Sequence, residues 1–213
     1  LLIKRLEGEA LFEPEPLEAL KKAAKHPHGM IVVCGPTGAG KTTTLYSMLK
    51  LIDSPDKNIV TVEDPVEFQI HGINQVQIRP DVKLTFAAAL RSILRQDPDV
   101  IMVGEIRDGE TADIAIKAAL TGHLVLSTLH ATTAAGAITR FVNMGVEPYL
   151  ITSSMLLAGS QRLVRRICVR CKEAYEPSAE LVKQLGIHEK TLGKQKLMFY
   201  RGRGCEICAN KGY

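Results

Sequence analysis

A short run of residues near the start of the chain has the composition and spacing of a phosphate-binding loop. The run GPTGAGKT, from Gly35 to Thr42, fits the pattern GxxxxGK followed by Ser or Thr, between an apolar run and a segment with helical spacing. Its glycines let backbone N–H groups turn toward a phosphate, and the next helix directs its positive dipole end at the anion. Lys41 is placed to reach the β- and γ-phosphates of a nucleotide and Thr42 to bind Mg²⁺, whereas a glycine-rich turn without a ligand is the alternative. The predicted nucleotide-binding residues are Gly35, Pro36, Thr37, Gly38, Ala39, Gly40, Lys41, Thr42 and Thr43.

Carboxylates follow two further apolar runs and could serve phosphate chemistry. The run DVIMVGEIRD delivers Glu105 to its carboxyl end, where α/β sheets bind ligands, so we predict that Glu105 binds Mg²⁺ directly or through water. The run NIVTVEDPVEF ends in Glu63, Asp64 and Glu67. We predict that Glu63 polarises the attacking water, with Glu67 as the second candidate. Capping of the turn at Pro65 is the alternative role for these acids.

Two histidines flank a fourth apolar run, HLVLSTLHATTA. His123 lies at the entrance of this run and His130 just beyond its exit. A polar residue after such a strand can contact the γ-phosphate and report its presence, so we treat His130 as a site candidate. A lone histidine is more often structural, and that alternative applies most strongly to His123.

Four of the five cysteines form two CxxC pairs late in the chain. Cys168 pairs with Cys171 and Cys205 with Cys208, and a tetrahedral set of four thiolates suits a structural Zn²⁺. The first residues, LLIKRLEGEA, predict no signal peptide, and in a cytosolic protein such pairs favour metal over disulfides. Unliganded reduced thiols are the alternative. Cys34, alone in an apolar run, is predicted to be an inert core thiol.

The elements that must position these residues alternate along the chain. Apolar runs predict buried strands at 30–34, 59–62, 100–103 and 123–127. Helical spacing predicts helices at 17–25, 41–51, 84–96, 110–120, 133–142 and 149–163. Repeated strand–helix units predict an α/β fold, in which a parallel sheet is flanked by helices on both faces.

Length and composition are consistent with one sizeable domain and a small additional one. The chain has 213 residues, of which 46% are hydrophobic and 23% charged, with a net charge of +4. We predict the end of an amino-terminal domain and a linker at 1–28, a P-loop domain at 29–165 and a cysteine subdomain at 166–213. No apolar run reaches the ~20 residues of a membrane span, so we expect a soluble, cytoplasmic protein.

Taken together, these motifs resemble those of the secretion ATPase superfamily, specifically the ATPases that assemble type II secretion pseudopili and type IV pili. The similarity covers essentially the whole chain. It includes the segments HGMIVVCGPTGAGKTTTLYSML, TVEDPVE, DVIMVGEIRD, TGHLVLSTLHATTAAGAITRFVNMGVEP and AGSQRLVRRICVRC.

The resemblance implies a RecA-like ATPase in a homo-hexameric ring, attached through partners to the cytoplasmic face of the inner membrane. ATP turnover would move an inner-membrane platform protein that adds pilin subunits, with cytoplasmic adaptor proteins as further partners. The family's water-activating glutamate falls on Glu63, its metal-strand glutamate on Glu105, and its box histidines on His123 and His130. Assembly ATPases carry the tetracysteine subdomain and retraction ATPases lack it, so the resemblance favours an assembly or secretion motor that uses ATP, Mg²⁺ and Zn²⁺.

The resemblance also concerns the amino-terminal side of the motor. Family members carry an amino-terminal domain whose arginines complete the active site, and only its last strand, LLIKRL, is expected in this chain. We therefore expect the chain to be part of a longer protein and to be a poor ATPase alone. A motor that acts directly on nucleic acid would need stacking aromatics and a basic channel, and the chain has no Trp. A DNA-uptake motor of the same family and a nucleotide-gated scaffold with little turnover remain the alternatives.

Overall fold

The computed structural model describes residues 14–187 and 197–213, so the predicted strand LLIKRL lies outside the described residues. The chain divides into two compact units between Leu163 and Val164, close to the predicted boundary at 166. Within the described residues, no helix combines the length and the apolar character that crossing a membrane would require.

The first unit is built on a sheet whose strands all pair in parallel. Its strands are β1 (Gly29–Cys34), β2 (Ile59–Glu63), β3 (Asn74–Gln77), β4 (Val100–Ile106), β5 (Leu124–Leu129) and β6 (Met155–Ser160). Their order across the sheet is β3-β2-β4-β5-β1-β6. Parallel strands of this kind place their carboxyl ends along one edge, where ligands bind in open α/β sheets.

Helices cover both faces of this sheet. They are α1 (Pro14–Ala24), α2 (Lys41–Ile52), α3 (Phe86–Ile93), α4 (Gly109–Leu120), α5 (Ala134–Asn143) and α6 (Pro148–Ser154). Successive side chains of a strand point to opposite faces. Accordingly, Met30 and Val32 of β1 join the apolar cluster formed with α3 to α6, whereas Ile31 and Val33 join the cluster formed with α1 and α2. The predicted α/β fold is therefore confirmed.

The predicted helix at 149–163 is wrong beyond its first half. α6 ends at Ser154, and the next residues form β6, which pairs with β1 in parallel, for example Ile31 with Leu157. A short apolar run such as MLLAG fits a strand or a buried helix equally well by periodicity. Tertiary pairing decides between them, because the backbone groups on the open edge of buried β1 need hydrogen-bond partners.

Smaller differences concern the sheet's far edge and one helix. β3 was not predicted because its residues, NQVQ, are polar and partly exposed, as an edge strand allows. The predicted helix at 84–96 is α-helical only from Phe86, where Thr85 caps its start, and it continues past Ile93 as a 3₁₀ turn.

The second unit contains an antiparallel pair of strands, β7 (Lys172–Tyr175) and β8 (Phe199–Gly202). A short helix, α7 (Ala179–Gln184), lies between them in the chain, and a 3₁₀ turn spans Glu206–Cys208. Among the residues that the structure describes in this unit, Cys171 and Gly212 are the only buried ones. The described part of this unit therefore contains little apolar core.

Candidate active site and metal centre

The phosphate-binding loop runs from the end of β1 to the start of α2. Gly35, Gly38 and Gly40 all have positive φ, with Gly40 at 83°, a conformation that favours glycine. Gly40 is the residue from which α2 begins, so the first N–H groups of the helix face the loop. Lys41 Nζ donates to Gly35 O and Pro36 O, each at 3.0 Å, which holds the ammonium group at the loop itself.

A cleft of about 600 Å³ lies at the carboxyl edge of the sheet beside this loop. It brings together parts of the chain that the sequence places far apart. Its lining includes most of the predicted site, namely Thr37, Gly38, Gly40, Lys41, Thr42, Thr43, Glu63, Glu67, Glu105 and His130. The edge therefore combines an anion-binding loop with carboxylates in one space.

Glu105 and His130 meet at the end of β4 and β5. Glu105 Oε2 lies 3.1 Å from His130 Nε2, and the other carboxylate oxygen pairs with Arg107. The β4–β5 register shifts between Val103 and Ile106, so Glu105 leaves the regular ladder at the cleft. Hydrogen bonding to Glu105 raises the pKa of Arg107. This carboxylate is only 14% exposed, yet it lines the cleft, as a metal-binding oxygen ligand would.

Glu63 is buried at the end of β2, and both of its carboxylate oxygens accept hydrogen bonds. Thr61 Oγ1 donates to Oε1 at 2.5 Å, Gln75 Nε2 donates to the same oxygen at 3.1 Å, and Tyr46 donates to Oε2. Burial, and then the hydrogen bond to Glu63, raise the pKa of Tyr46 well above its usual range, so the phenol stays a donor. A water-activating role for Glu63 requires one of these bonds to open or a free lone pair to face the cleft. Glu67, the second candidate, is exposed.

His123 lies away from the cleft. It precedes β5, with Nδ1 3.0 Å from Ala118 O, while His130 follows the same strand. A strand of this length separates the two ends by roughly 20 Å. The structure thus brings Glu63, Glu105 and His130 together and does not join His123 to them, so its position in this subunit does not support a direct catalytic role.

Gln161 is a residue of the loop's surroundings that sequence reasoning missed. It follows β6, is buried, and donates from Nε2 to Ala39 O at 2.7 Å. In the sequence, Gln161 belongs to the stretch AGSQRLVRR, which contributes only to the family resemblance. Its amide has neither the charge nor the metal affinity that would single it out as a site residue. The incorrect prediction of a helix at 149–163 also placed Gln161 inside a helix, whereas it follows a strand.

The four cysteines of the second unit converge. Their sulfur atoms all lie within 4.8 Å of one another, with Cys168–Cys205 and Cys171–Cys208 both at 3.9 Å and Cys205–Cys208 at 3.7 Å. A tetrahedron of sulfurs at the usual Zn–S distance of about 2.3 Å has edges of about 3.8 Å. The donor set and its spacing therefore fit a closed tetrahedral Zn²⁺ site.

Backbone groups also prepare one thiol for a metal. Desolvation acts to raise the pKa of Cys208. Hydrogen bonds from the backbone N–H groups of Cys205 and Gly212, both 3.3 Å from Sγ, together with those from the side chains of Cys205 and Cys171, outweigh it and lower the pKa to about 6. A thiolate is the form that binds metal. Cys34, by contrast, is fully buried in β1, and burial raises its pKa, which fits the predicted inert core thiol.

The sequence profile of one protein family, described as "Type II/IV secretion system protein", matches residues 6–213. The chain is 56% identical over 193 residues to "Type II secretion system ATPase E" of Vibrio cholerae, covering 91% of this chain and 38% of that protein. It is 53% identical over 202 residues to "Type IV pilus assembly ATPase PilB" of Thermus thermophilus, covering 95% of this chain and 22% of that protein. The chain thus spans less than half the length of these relatives.

A solved structure extends the likeness to three dimensions. The crystal structure of the pilus retraction motor PilT with bound ADP superposes with a TM-score of 0.65 and 33% identity, covering 89% of this chain and 50% of that one. The chain therefore shares its fold with a relative whose structure holds ADP.

Proposed function

This chain belongs to the family of type II/IV secretion system proteins, and on that basis we propose that it is the ATP-hydrolysing motor of pseudopilus or type IV pilus assembly. The observation that carries the proposal is the single cleft in which the phosphate-binding loop, Glu63, Glu105 and His130 meet. The names of the relatives, a type II secretion ATPase and a pilus assembly ATPase, support the same function.

In the proposed reaction, the loop binds the phosphates and Lys41 moves its ammonium group from Gly35 O and Pro36 O to the β- and γ-phosphates. Thr42 and Glu105 are the residues that would hold Mg²⁺, since both offer oxygen ligands to the same cleft. When bound, Mg²⁺ neutralises charge on the phosphate oxygens. His130, hydrogen-bonded to Glu105, is positioned to contact the γ-phosphate and to respond to its presence.

Glu63 polarises the attacking water in this proposal, with Glu67 as the substitute. The hydrogen bonds from Tyr46, Thr61 and Gln75 hold the Glu63 carboxylate in one orientation, and they occupy its oxygens. Unless a free lone pair of Glu63 faces the cleft, nucleotide binding in the adjacent loop would have to rearrange at least one of these bonds. Tyr46, on the helix that follows the loop, is the donor most directly linked to the loop.

We further propose the setting of this motor. Residues 29–165 form the ATPase domain and residues 166–213 the subdomain that a structural Zn²⁺ holds together. A homo-hexameric ring would act on a platform protein at the cytoplasmic face of the inner membrane, through adaptor proteins.

Glu63→Gln is expected to retain Mg-ATP binding and to lower the rate of hydrolysis by about 100-fold or more, because a neutral amide of the same size replaces the carboxylate that polarises water. Glu105→Gln should instead weaken the metal-dependent part of binding. Both effects are measured as steady-state phosphate release and nucleotide affinity, on the chain extended to the length of its relatives.

The matched control is Glu110→Gln, a change of the same type at an exposed residue in the first turn of α4 that does not line the cleft. It should leave both measurements unchanged. If Glu63→Gln turned over ATP at the normal rate, the water-activating role would be assigned to Glu67 instead.

Assembly is expected to limit the activity of this chain. A neighbouring subunit's arginine usually stabilises the developing charge in ring-forming P-loop motors. We expect residues 1–213 alone to associate weakly and to hydrolyse ATP slowly, and the extended chain to do both better. Sedimentation with and without ATP, together with phosphate release, measures this, and a fully active monomer would contradict the ring mechanism.

A further inference from the structure

The side-chain amide of Gln161 forms hydrogen bonds with the phosphate-binding loop and with the helix that follows it. Its Nε2 donates to Ala39 O at 2.7 Å, and its Oε1 accepts from Thr44 Oγ1 at 2.8 Å. The residue is 8% exposed, and these bonds join positions 122 and 117 residues apart in the chain. Because both ends of the amide are hydrogen-bonded, the amide is held in one orientation.

The chemistry of the partners decides which way the amide points. Ala39 O can only accept a hydrogen bond, so the amide must present its NH₂ group there. The remaining oxygen then accepts from the hydroxyl of Thr44. Thr44 lies in the first turns of α2, so the loop is held from its own helix through Gln161.

The backbone of Gln161 is anchored as firmly as its side chain. Its N–H donates to Cys34 O at 2.8 Å, which extends the pairing of β6 with β1. Its carbonyl oxygen lies where a Cβ on Gly35 would clash, so the first residue of the loop must be glycine. The amide therefore projects from the end of a sheet strand, a rigid element.

Holding Ala39 O has a direct consequence for phosphate binding. In a planar trans peptide, the carbonyl oxygen of one residue and the N–H of the next point in opposite directions. Gln161 holds Ala39 O on its own side of the loop, so the Gly40 N–H points away from Gln161, and Gly40 itself lines the cleft. If Ala39 O faced the cleft instead, it would repel a phosphate oxygen and remove one donor.

We propose that Gln161 is a positioning residue for nucleotide binding, which orients the Gly40 N–H toward the phosphate that the loop holds. The assignment deepens the proposed function and rests on its premise that the loop binds a nucleotide. Thr44 acts through Gln161 by fixing the amide, and neither side chain needs to touch the ligand.

The test is a double-mutant cycle on the full chain with Gln161→Leu, Thr44→Val and the two together, with Mg-ADP affinity measured by titration of a fluorescent ADP analogue. Gln161→Leu should weaken binding about 10-fold, the effect of one oriented hydrogen bond to a charged group. Thr44→Val, which keeps the shape of the side chain, should cost less. The double variant should bind as Gln161→Leu does, since Thr44 has no separate route to the ligand.

AMP separates positioning from simple structural damage, because it lacks the β-phosphate that the loop holds. Competition by AMP should be nearly unchanged in Gln161→Leu, and its unfolding temperature without nucleotide should stay within a few degrees of the wild type. Equal losses of ADP and AMP binding, additive single effects, or ADP affinity at the wild-type level in Gln161→Leu would each overturn the proposal. A wild-type chain that binds no Mg-ADP would overturn the proposed function, and this assignment with it.

Discussion

Lys41→Ala is expected to weaken Mg-ATP binding by about 100-fold or more. The Lys41 ammonium is the side-chain cation of the phosphate-binding loop, and charge-assisted hydrogen bonds to the β- and γ-phosphates are each worth about 1.5–3 kcal/mol. Two such bonds account for a factor of this size. The fold should survive, because the Gly35 and Pro36 carbonyls that Lys41 now contacts lie beside the cleft, where water can replace the ammonium.

Titration of a fluorescent ATP analogue measures this effect. The matched control is Lys117→Ala, on α4, where the lysine is exposed and pairs with Asp113 on the helix surface. It removes the same charge from the chain and should leave nucleotide affinity unchanged, since exposed pairs of this kind contribute little. Wild-type affinity in Lys41→Ala would contradict the assignment of the loop.

Loss of the metal is expected to unfold the second unit while sparing the first. Among its described residues, only Cys171 and Gly212 are buried, so apolar burial contributes little to its stability. Structural Zn²⁺ binding supplies apparent free energies on the order of 10–16 kcal/mol in small domains, and that energy becomes folding energy. Purified protein should contain about one zinc per chain.

Cys205→Ser tests the site without a chelator. We expect it to lose zinc and the amide-exchange protection of β7 and β8, and to keep the Mg-ADP affinity of the wild type. The control is Ile207→Ser, in the same turn, where the side chain is 69% exposed and is not a metal ligand. It should keep both zinc and protection. A metal-free protein with β7 and β8 still ordered would refute the zinc assignment.

The sequence alone determined the residues whose chemistry is encoded by type and short spacing. The loop from Gly35 to Thr42 needs only its glycines, a lysine and a hydroxyl in a fixed order, and the two CxxC pairs each need only one tight turn. The strands of the sheet's centre were also predicted, because a strand buried on both faces must be apolar throughout. These signals are local. The structure confirmed the four strands with small changes at their ends, whereas the ligands of the loop and of the cysteine pairs stay predictions.

The tertiary structure decided everything that depends on which distant groups meet. Residues 155–160 form a strand because the N–H and C=O groups on one edge of β1 need hydrogen-bond partners. The residue types at 155–160 carry no signal of that pairing. The hydrogen bonds that occupy Glu63 come from α2, β2 and β3, and the separation of His123 from His130 follows from the length of β5. Gln161 illustrates the limit most clearly, since a neutral amide has no distinguishing pattern in sequence. Its function arises only where the folded sheet places it, against a carbonyl that must be turned away from a phosphate.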